Sequence, residues 1–406
     1  MADESPAVVR PDTRTAPGPA RVRPASLADA ADVLGRAAVD RQTLLFTGAG
    51  TKLSWGGRPT RTDLVVETAG LDRPISHAPG DWTVTVQAGM PLTRLQELLA
   101  PEGQWLPLDP PAALAGATLG GLLATNDSGP RLPAFGGLGG LVIGATLILA
   151  DGSVVRTGGG VIKNVAGYDL AKLFTGSLGV FGLLAELTLR VHPLPQVSAT
   201  LDLPAADAEQ ALAAARAALH SPLEPVAAEW NGSRLLVRFH GTVAGTATRV
   251  RLADAIPRLA GGRVLDGADE HAAWARLAPL VTGEEGDTVL RAATRPAHLP
   301  ELARVLGDIA ASNGVKAELC SSVAVGVHTV RLRGGDAVGH AACLTTWRDA
   351  VLARGGTVTL RRRREGVESR AGAWGQAPST APLLRALKRR FDPEDRCAPG
   401  RFAPWF

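Results

Sequence analysis

The 406-residue sequence predicts an α+β protein built of two modules. Three observations carry this reading. Short alternating strands and helix-patterned stretches follow one another along the chain. Glycine is crowded, with 25 of the 47 between Gly48 and Gly182, a third of the chain. Pro193 and Pro195 stop the last strand of the first half, and beyond them the texture changes to Ala- and Arg-rich helices.

Residues 1–20 carry acids and prolines but no apolar core, as expected of a disordered tail rather than a signal peptide. A helix follows Pro24, capped by Ser26, with Leu27, Ala30, Ala31 and Leu34 at helical spacing. Thr43–Thr47, Asp63–Glu67 and Thr83–Val86 read as short strands. Met90-Pro91 opens a helix with Leu92, Leu95, Leu98 and Leu99 on one face. Leu141–Ala150 and Ser153–Thr157 flank Asp151-Gly152, a two-residue hairpin signal. In Ala185–Val191, Leu187, Leu189 and Val191 face one way and Glu186, Thr188 and Arg190 the other. In the second half, helices at Ala208–His220, Thr246–Leu259, Pro300–Asn313 and Ala337–Gly355 alternate with strands at Arg234–Phe239, Thr288–Ala292, Ser322–Val325 and Thr357–Leu360. This is the pattern of helices on one face of an antiparallel sheet. A short basic helix followed by turns closes the chain from Leu384.

Composition excludes several classes. Cys320, Cys343 and Cys397 lack the spacing and number for an iron–sulfur cluster or a disulfide framework. The net charge is only +4, and the single basic block, Arg361–Arg364, reads as a solvated strand or loop, which argues against nucleic-acid binding. The uncharged stretch Gly136–Ala150 is too short and glycine-rich to span a bilayer, so the chain is expected to be cytoplasmic, or held at a membrane only through partners. No His cluster suggests a metal site, and His328, in an apolar strand-like run, reads as structural.

Three glycine constellations remain. The first, Phe46 to Gly57, fails both common phosphate motifs, since Leu53 replaces the last Gly of GxGxxG and GxxxxGK[ST] is absent. A strand ending in Gly48 and Gly50 can still turn successive N–H groups into an anion nest, with Thr51 and Ser54 as further donors; an ordinary strand–strand loop is the alternative. The second, Ala117 to Gly129, allows backbone to lie flat on a planar or anionic ligand, or forms a glycine-kinked helix packed on the sheet. The third runs through Lys163-Asn164-Val165-Ala166-Gly167-Tyr168 to Gly176, Gly179 and Gly182. There Lys163 and Asn164 either lie on the surface or face a phosphate or a flavin edge, and Tyr168, the lone tyrosine, fits a packing role.

Taken in order, these segments resemble the FAD-binding domain of the vanillyl-alcohol-oxidase and para-cresol-methylhydroxylase (PCMH) superfamily. The likeness rests on Gly48–Ser54, Val86-Gln87-Ala88-Gly89, Leu106-Pro107-Leu108-Asp109, Thr118-Leu119-Gly120-Gly121, Leu149-Ala150-Asp151-Gly152 and Gly176–Leu187. Lys163–Leu170 is similar to a segment of the glycolate oxidase FAD-binding subunit, and the tail from Leu387 resembles that family's closing segment. The resemblance implies a two-subdomain PCMH-type FAD domain at 21–195, an α+β cap-like domain with an antiparallel sheet at 196–385, and a segment at 386–406 returning to the FAD domain. It assigns Thr47, Gly48, Ala49, Gly50, Thr51, Lys52 and Ser54 to the pyrophosphate. Pro107, Thr118, Gly120, Gly121, Ser128 and Gly129 would line the flavin and ribityl chain. Lys163, Asn164 and Tyr168 would lie beside the cofactor, and Val180, Gly182 and Leu183 near the adenine.

With no His in the loop 47–57, the FAD is expected to be non-covalent. The implied setting is a glycolate-oxidase-type complex, with a larger FAD subunit and an iron–sulfur subunit as partners. Three departures stand against a full match. Gly139-Gly140 replace the usual Arg-Asp pair, Ala398 replaces Asn before Pro399-Gly400, and the Gly-Asp-Gly-Asn-x-His motif of 2-hydroxy-acid dehydrogenases is missing. No general base can be named. A stand-alone FAD oxidase or dehydrogenase for another alcohol or acid, and a structural subunit that has lost FAD, remain as alternatives.

Overall fold

The structure is a computed structural model describing residues 18–159 and 170–406. The first helix spans Leu27–Val39, and Ser26 caps it by accepting from the Asp29 N–H at 3.1 Å. It buries Ala30, Val33, Leu34 and Ala37 against a parallel sheet ordered Ala20–Val22, Leu64–Glu67, Leu44–Thr47. An antiparallel sheet follows, in the order Pro74–Ala78, Thr83–Gln87, Leu183–Arg190, Val142–Ile148, Val154–Gly158. The helix Leu92–Leu99 packs Leu92, Leu95 and Leu99 into its core. The hairpin at Asp151-Gly152 differs from the two-residue expectation. Leu149 N–H bonds the Ser153 carbonyl, so Ala150, Asp151 and Gly152 form a three-residue loop, with Gly152 at φ +87° in the left-handed position that such a loop requires.

The sheet of the second half has eight strands, in the order Arg263–Leu265, Val197–Pro204, Arg234–Gly241, Ala227–Trp230, Lys316–Ser322, Val327–Arg333, Thr288–Ala293, Thr357–Arg362. Its neighbouring strands all pair antiparallel. Its two halves repeat one plan, strand–helix–strand–strand–helix–strand, and join at a seam where Glu229 pairs with Ser322 and Trp230 with Ser321. The overall class is thus the expected mixture of helices and antiparallel sheets. Two local expectations fail. Ser322–Val325 is not a strand but the end of one and the turn after it, with the Val325 and Gly326 N–H groups both bonded to the Ser322 carbonyl. The helix expected from Thr246 begins at Val243, because Thr242 caps it through the Gly245 N–H.

Strand alternation decides what this sheet presents. Ala228, Trp230, Leu235, Val237, Phe239, Leu290, Ala292, Val358 and Leu360 face the helices and form the main core with Trp347. Glu229, Arg238, Arg291 and Arg361 are offset by one residue from these and lie on the opposite face. There they meet Asp109, Asp127 and Ser128 of the first module. The sheet therefore buries a polar face against the glycine-rich module. The tail closes the assembly. In the helix Ala381–Phe391, buried Lys388 donates to the Val180 carbonyl (2.9 Å), the Asp392 carboxylate (2.6 Å) and the Cys397 carbonyl (2.9 Å). Cys397 then pairs with Leu44, at the edge of the parallel sheet.

Candidate functional site

The strand Leu44–Thr47 ends in a turn, and there the backbone runs short of partners. Among the described residues, the N–H groups of Ala49, Gly50, Thr51 and Lys52 donate to no protein acceptor. Gly50 adopts φ +73°, in the left-handed region. Successive unpaired amides around such a residue form a concavity for anionic oxygen. Thr47, Gly48, Ala49, Gly50, Thr51, Lys52, Thr118, Gly120, Gly121, Gly182 and Leu183 all line one cradle, together with Leu178, Gly179 and Arg401. The two walls touch: a Cβ on Gly48 would lie 2.2 Å from Thr118 Oγ1, so the glycine there serves a close approach of chain to chain. Thr118 in turn caps the helix Leu119–Thr125 by accepting from Gly121 N–H at 3.2 Å. An FAD pyrophosphate carries two negative charges and several acceptor oxygens, and this cradle supplies unpaired N–H donors, a hydroxyl at Thr51 and the Lys52 ammonium. The residues fit the group.

Other predicted site residues lie elsewhere. The Ser54 hydroxyl is not free for phosphate, since it donates to the Arg361 carbonyl at 2.7 Å. Val180 is 2% exposed and packs in the apolar core, because its side chain points away from the cradle that Gly179 and Gly182 line. Pro107 is buried and lines neither the cradle nor the cavity between the modules. Ser128 and Gly129 line that second cavity instead, where Gly129 abuts the Asp109 backbone and Ser128 is held by Arg291, Nη2 to Oγ at 2.7 Å. Lys163, Asn164 and Tyr168 lie outside the described residues. Gly139 and Gly140, at the place of the usual Arg-Asp pair, line an open cleft of ≈ 1120 Å³.

Between cradle and cavity sits a charge cluster that motif reasoning missed. Asp127, 2% exposed, is approached by Arg361 at 3.2 Å, Lys52 at 3.7 Å and Arg291 at 4.0 Å. Arg361 also stacks on Trp55, its guanidinium carbon 3.7 Å from the ring centroid. Burial pulls the Arg361 pKa down to about 9, helped by Arg291 and opposed by Asp127. Burial likewise lowers Lys52, with Asp127 acting in the opposite direction. The block Arg361–Arg364 is therefore not a solvated segment: Arg361 is 5% exposed, and Arg363 donates to the Ser54 carbonyl at 2.6 Å. The usable signal was arginine inside apolar strands, as in Val237-Arg238-Phe239 and Leu290-Arg291-Ala292. A strand buried on both faces tolerates such a charge only beside a partner.

Comparison with known proteins agrees with this geometry. Residues 18–158 match the family model described as FAD binding domain. The glycolate oxidase subunit GlcE of Escherichia coli is 35% identical over 168 residues, 41% of this chain and 47% of that protein. The glycolate oxidase subunit GlcD of Bacillus subtilis is 34% identical over 161 residues, 40% of this chain and 34% of the relative. A D-lactate dehydrogenase of Archaeoglobus fulgidus is 31% identical over 211 residues, 52% of this chain and 46% of that one. The aligned stretches thus span half or less of these relatives. Among solved structures, alkyldihydroxyacetonephosphate synthase superposes with a TM-score of 0.72 at 15% identity, covering 93% of this chain and 76% of that one, which establishes a shared fold. Residues 18–158 of this chain are therefore similar to FAD-binding domains, and FAD is the cofactor that this similarity supports.

Proposed function

We propose that this chain is an FAD-dependent oxidoreductase subunit acting on 2-hydroxy acids, of the glycolate oxidase type. The observation that carries the reading is the run of unpaired amides from Ala49 to Lys52 in a domain that matches the FAD-binding family. The similarity to two glycolate oxidase subunits and a D-lactate dehydrogenase supports this substrate class. Bound FAD would supply hydride acceptance, while the protein binds, orients and excludes water. In this reading the Ala49–Lys52 backbone, Thr51 and Lys52 hold the pyrophosphate, Thr118, Gly120 and Gly121 form the opposite wall, and Gly182 and Leu183 border the adenine end. Residues 21–195 with the returning segment 386–406 form the cofactor module, and 196–385 cap it. The FAD is read as non-covalent, since among the described residues the cradle lining holds no His, Cys or Tyr for attachment. A larger FAD subunit and an iron–sulfur subunit complete the complex, and they would carry electrons onward, because all three cysteines here are buried singly. Among the described residues no helix is long and apolar enough to cross a membrane, so any membrane contact would run through those partners.

The test is to purify the chain, load it with FAD, and mix it anaerobically with glycolate, D-lactate and D-2-hydroxyglutarate, alone and co-expressed with its genomic neighbours. Flavin bleaching only in the co-purified complex supports the subunit reading. Rapid bleaching by the chain alone would replace it with a self-sufficient dehydrogenase, a reading favoured by the charged cavity between the modules. A chain that takes up no FAD would sink both.

A further inference from the structure

The loop that follows the cradle owes its shape to the far end of the chain. Its own backbone closes two weak turns, Leu53 N–H to the Gly50 carbonyl at 3.4 Å and Trp55 N–H to the Lys52 carbonyl at 3.1 Å. The four consecutive carbonyls from Leu53 to Gly56 are instead taken by two guanidiniums. Arg363, just past the strand Thr357–Arg362, donates Nη2 to the Ser54 carbonyl at 2.6 Å and also to the Gly56 carbonyl. Arg401, from the closing segment, donates Nη2 to the Leu53 carbonyl at 3.3 Å and to the Trp55 carbonyl at 3.1 Å. Successive carbonyls thus alternate between the two arginines. The Gly56 N–H adds a bond to the Leu360 carbonyl at 2.8 Å, and the Gly57 N–H one to the Arg401 carbonyl at 3.2 Å. Both guanidiniums are buried: the Arg363 side chain is 3% exposed and Arg401 4%. Arg363 is matched by Glu368 at 2.7 Å. Arg401 lines the cradle, and the one charged neighbour that acts on it is the like-charged Arg363. A buried cation is costly until a counter-charge arrives.

We propose that Arg363 and Arg401 are positioning residues for the cofactor, which draw the Leu53–Gly56 carbonyls out of the cradle and so hold the Ala49–Lys52 amides toward the FAD pyrophosphate. A carbonyl oxygen turned into the cradle would repel phosphate oxygens, and a loop free to rotate would scatter its amides; the two arginines prevent both. Neither residue belongs to the glycine-rich segment. Arg363 extends the edge strand of the eight-stranded sheet, and Arg401 belongs to the tail. FAD uptake is therefore linked to the docking of sheet and tail on the FAD module, and by reciprocity FAD stabilises that docking. That the anion is FAD rests on the function proposed above; the clamp itself rests on the hydrogen bonds.

The experiment is fluorescence titration of FAD with the full chain and with Arg363→Met, Arg363→Lys and Arg362→Met, each also unfolded in urea with and without saturating FAD. Arg362, on the same strand, donates to the Thr282 carbonyl instead and serves as the control. Arg363→Met should bind FAD at least tenfold more weakly and gain a smaller midpoint shift from it. Arg363→Lys, which keeps the charge and can reach one carbonyl, should fall between that variant and the wild type. Arg362→Met should bind FAD as the wild type does. A merely structural lesion lowers the midpoint equally with and without FAD and leaves the affinity unchanged. That pattern in Arg363→Met, or equal weakening by Arg362→Met, would overturn the proposal. If Arg363→Met does not fold, a threefold or greater loss of FAD affinity in Arg363→Lys upholds it and no loss overturns it. Hydrogen exchange of the Trp55, Gly56 and Gly57 amides in the apo chain is a separate readout, expected to quicken at least tenfold in Arg363→Met. Should the wild type take up no FAD, the oxidoreductase reading falls, while the exchange still decides the clamp: unchanged rates overturn it.

Discussion

Asp127 shows how much one carboxylate can hold at the boundary between modules. It is nearly inaccessible and stands among Lys52, Arg291 and Arg361. Removing its charge leaves three cations crowded in a low-dielectric interface, so Asp127→Asn should lower stability by about 3–5 kcal/mol, read as the shift of the urea midpoint. Glu229 makes the opposite case, a carboxyl whose ionisation burial opposes. Its folded pKa of about 7 lies above the ordinary value of 4.5, so between those two pH values the folded state holds a proton that the unfolded state has released. Wild-type stability therefore loses, relative to Glu229→Gln, up to roughly 3 kcal/mol as pH rises through this window. Urea titrations of both proteins at pH 4.5 and pH 8 measure it; a constant difference would contradict the assignment. None of these side chains carries a sequence motif. Arg361 stands in a run of four arginines that looks solvated, and only the strand register sends Arg361 inward onto Trp55.

At the scale of elements, patterning was legible where one face of an element is apolar and hidden where both faces are buried. The helix at Leu27 and the strand ending at Arg190 alternate plainly, and both stand as the pattern predicts. Lys316–Ser322 went unread because it lies in the seam between the half-sheets, where Glu318, Ser321 and Ser322 dilute its apolar signal. The apolar triplet Val323-Ala324-Val325 drew the expectation three residues too far, into a turn closed by Gly326 at φ +68°. A Cβ at Gly326 would also come within 2.1 Å of the Thr294 carbonyl. Gly326→Val should therefore cost about 2–4 kcal/mol from backbone strain and overpacking together, and thermal melting should show it as a single shifted transition. The glycine crowding was real but had two causes. Gly50 shapes a turn with open amides, whereas Gly48 and Gly129 let neighbouring chain segments touch. Sequence alone does not separate these causes, since both require the same missing side chain.

The whole molecule is held together by long-range polar ties as much as by its cores. The sheet's polar face meets the FAD module through Arg238, Arg291 and Arg361, and the tail returns through Lys388. Lys388→Met would strand Asp392 in the interior and release the Val180 and Cys397 carbonyls. The expected loss is about 3–5 kcal/mol, with earlier proteolytic release of the segment beyond Phe391, followed by mass spectrometry. Arg401, from the same tail, lines the cradle and donates to the Trp55 carbonyl at 3.1 Å, so FAD should partly restore the stability that Lys388→Met loses.

Cofactor binding turns on the cradle at Ala49–Lys52. Its most direct test is fluorescence titration of FAD with the purified chain and with Gly50→Val, a residue that resists φ +73°. Saturable uptake of one FAD per chain, full release of the flavin on denaturation, and at least tenfold weaker uptake by the variant are the predicted results. No uptake, flavin that stays with the denatured chain, or equal affinity in Gly50→Val would contradict it.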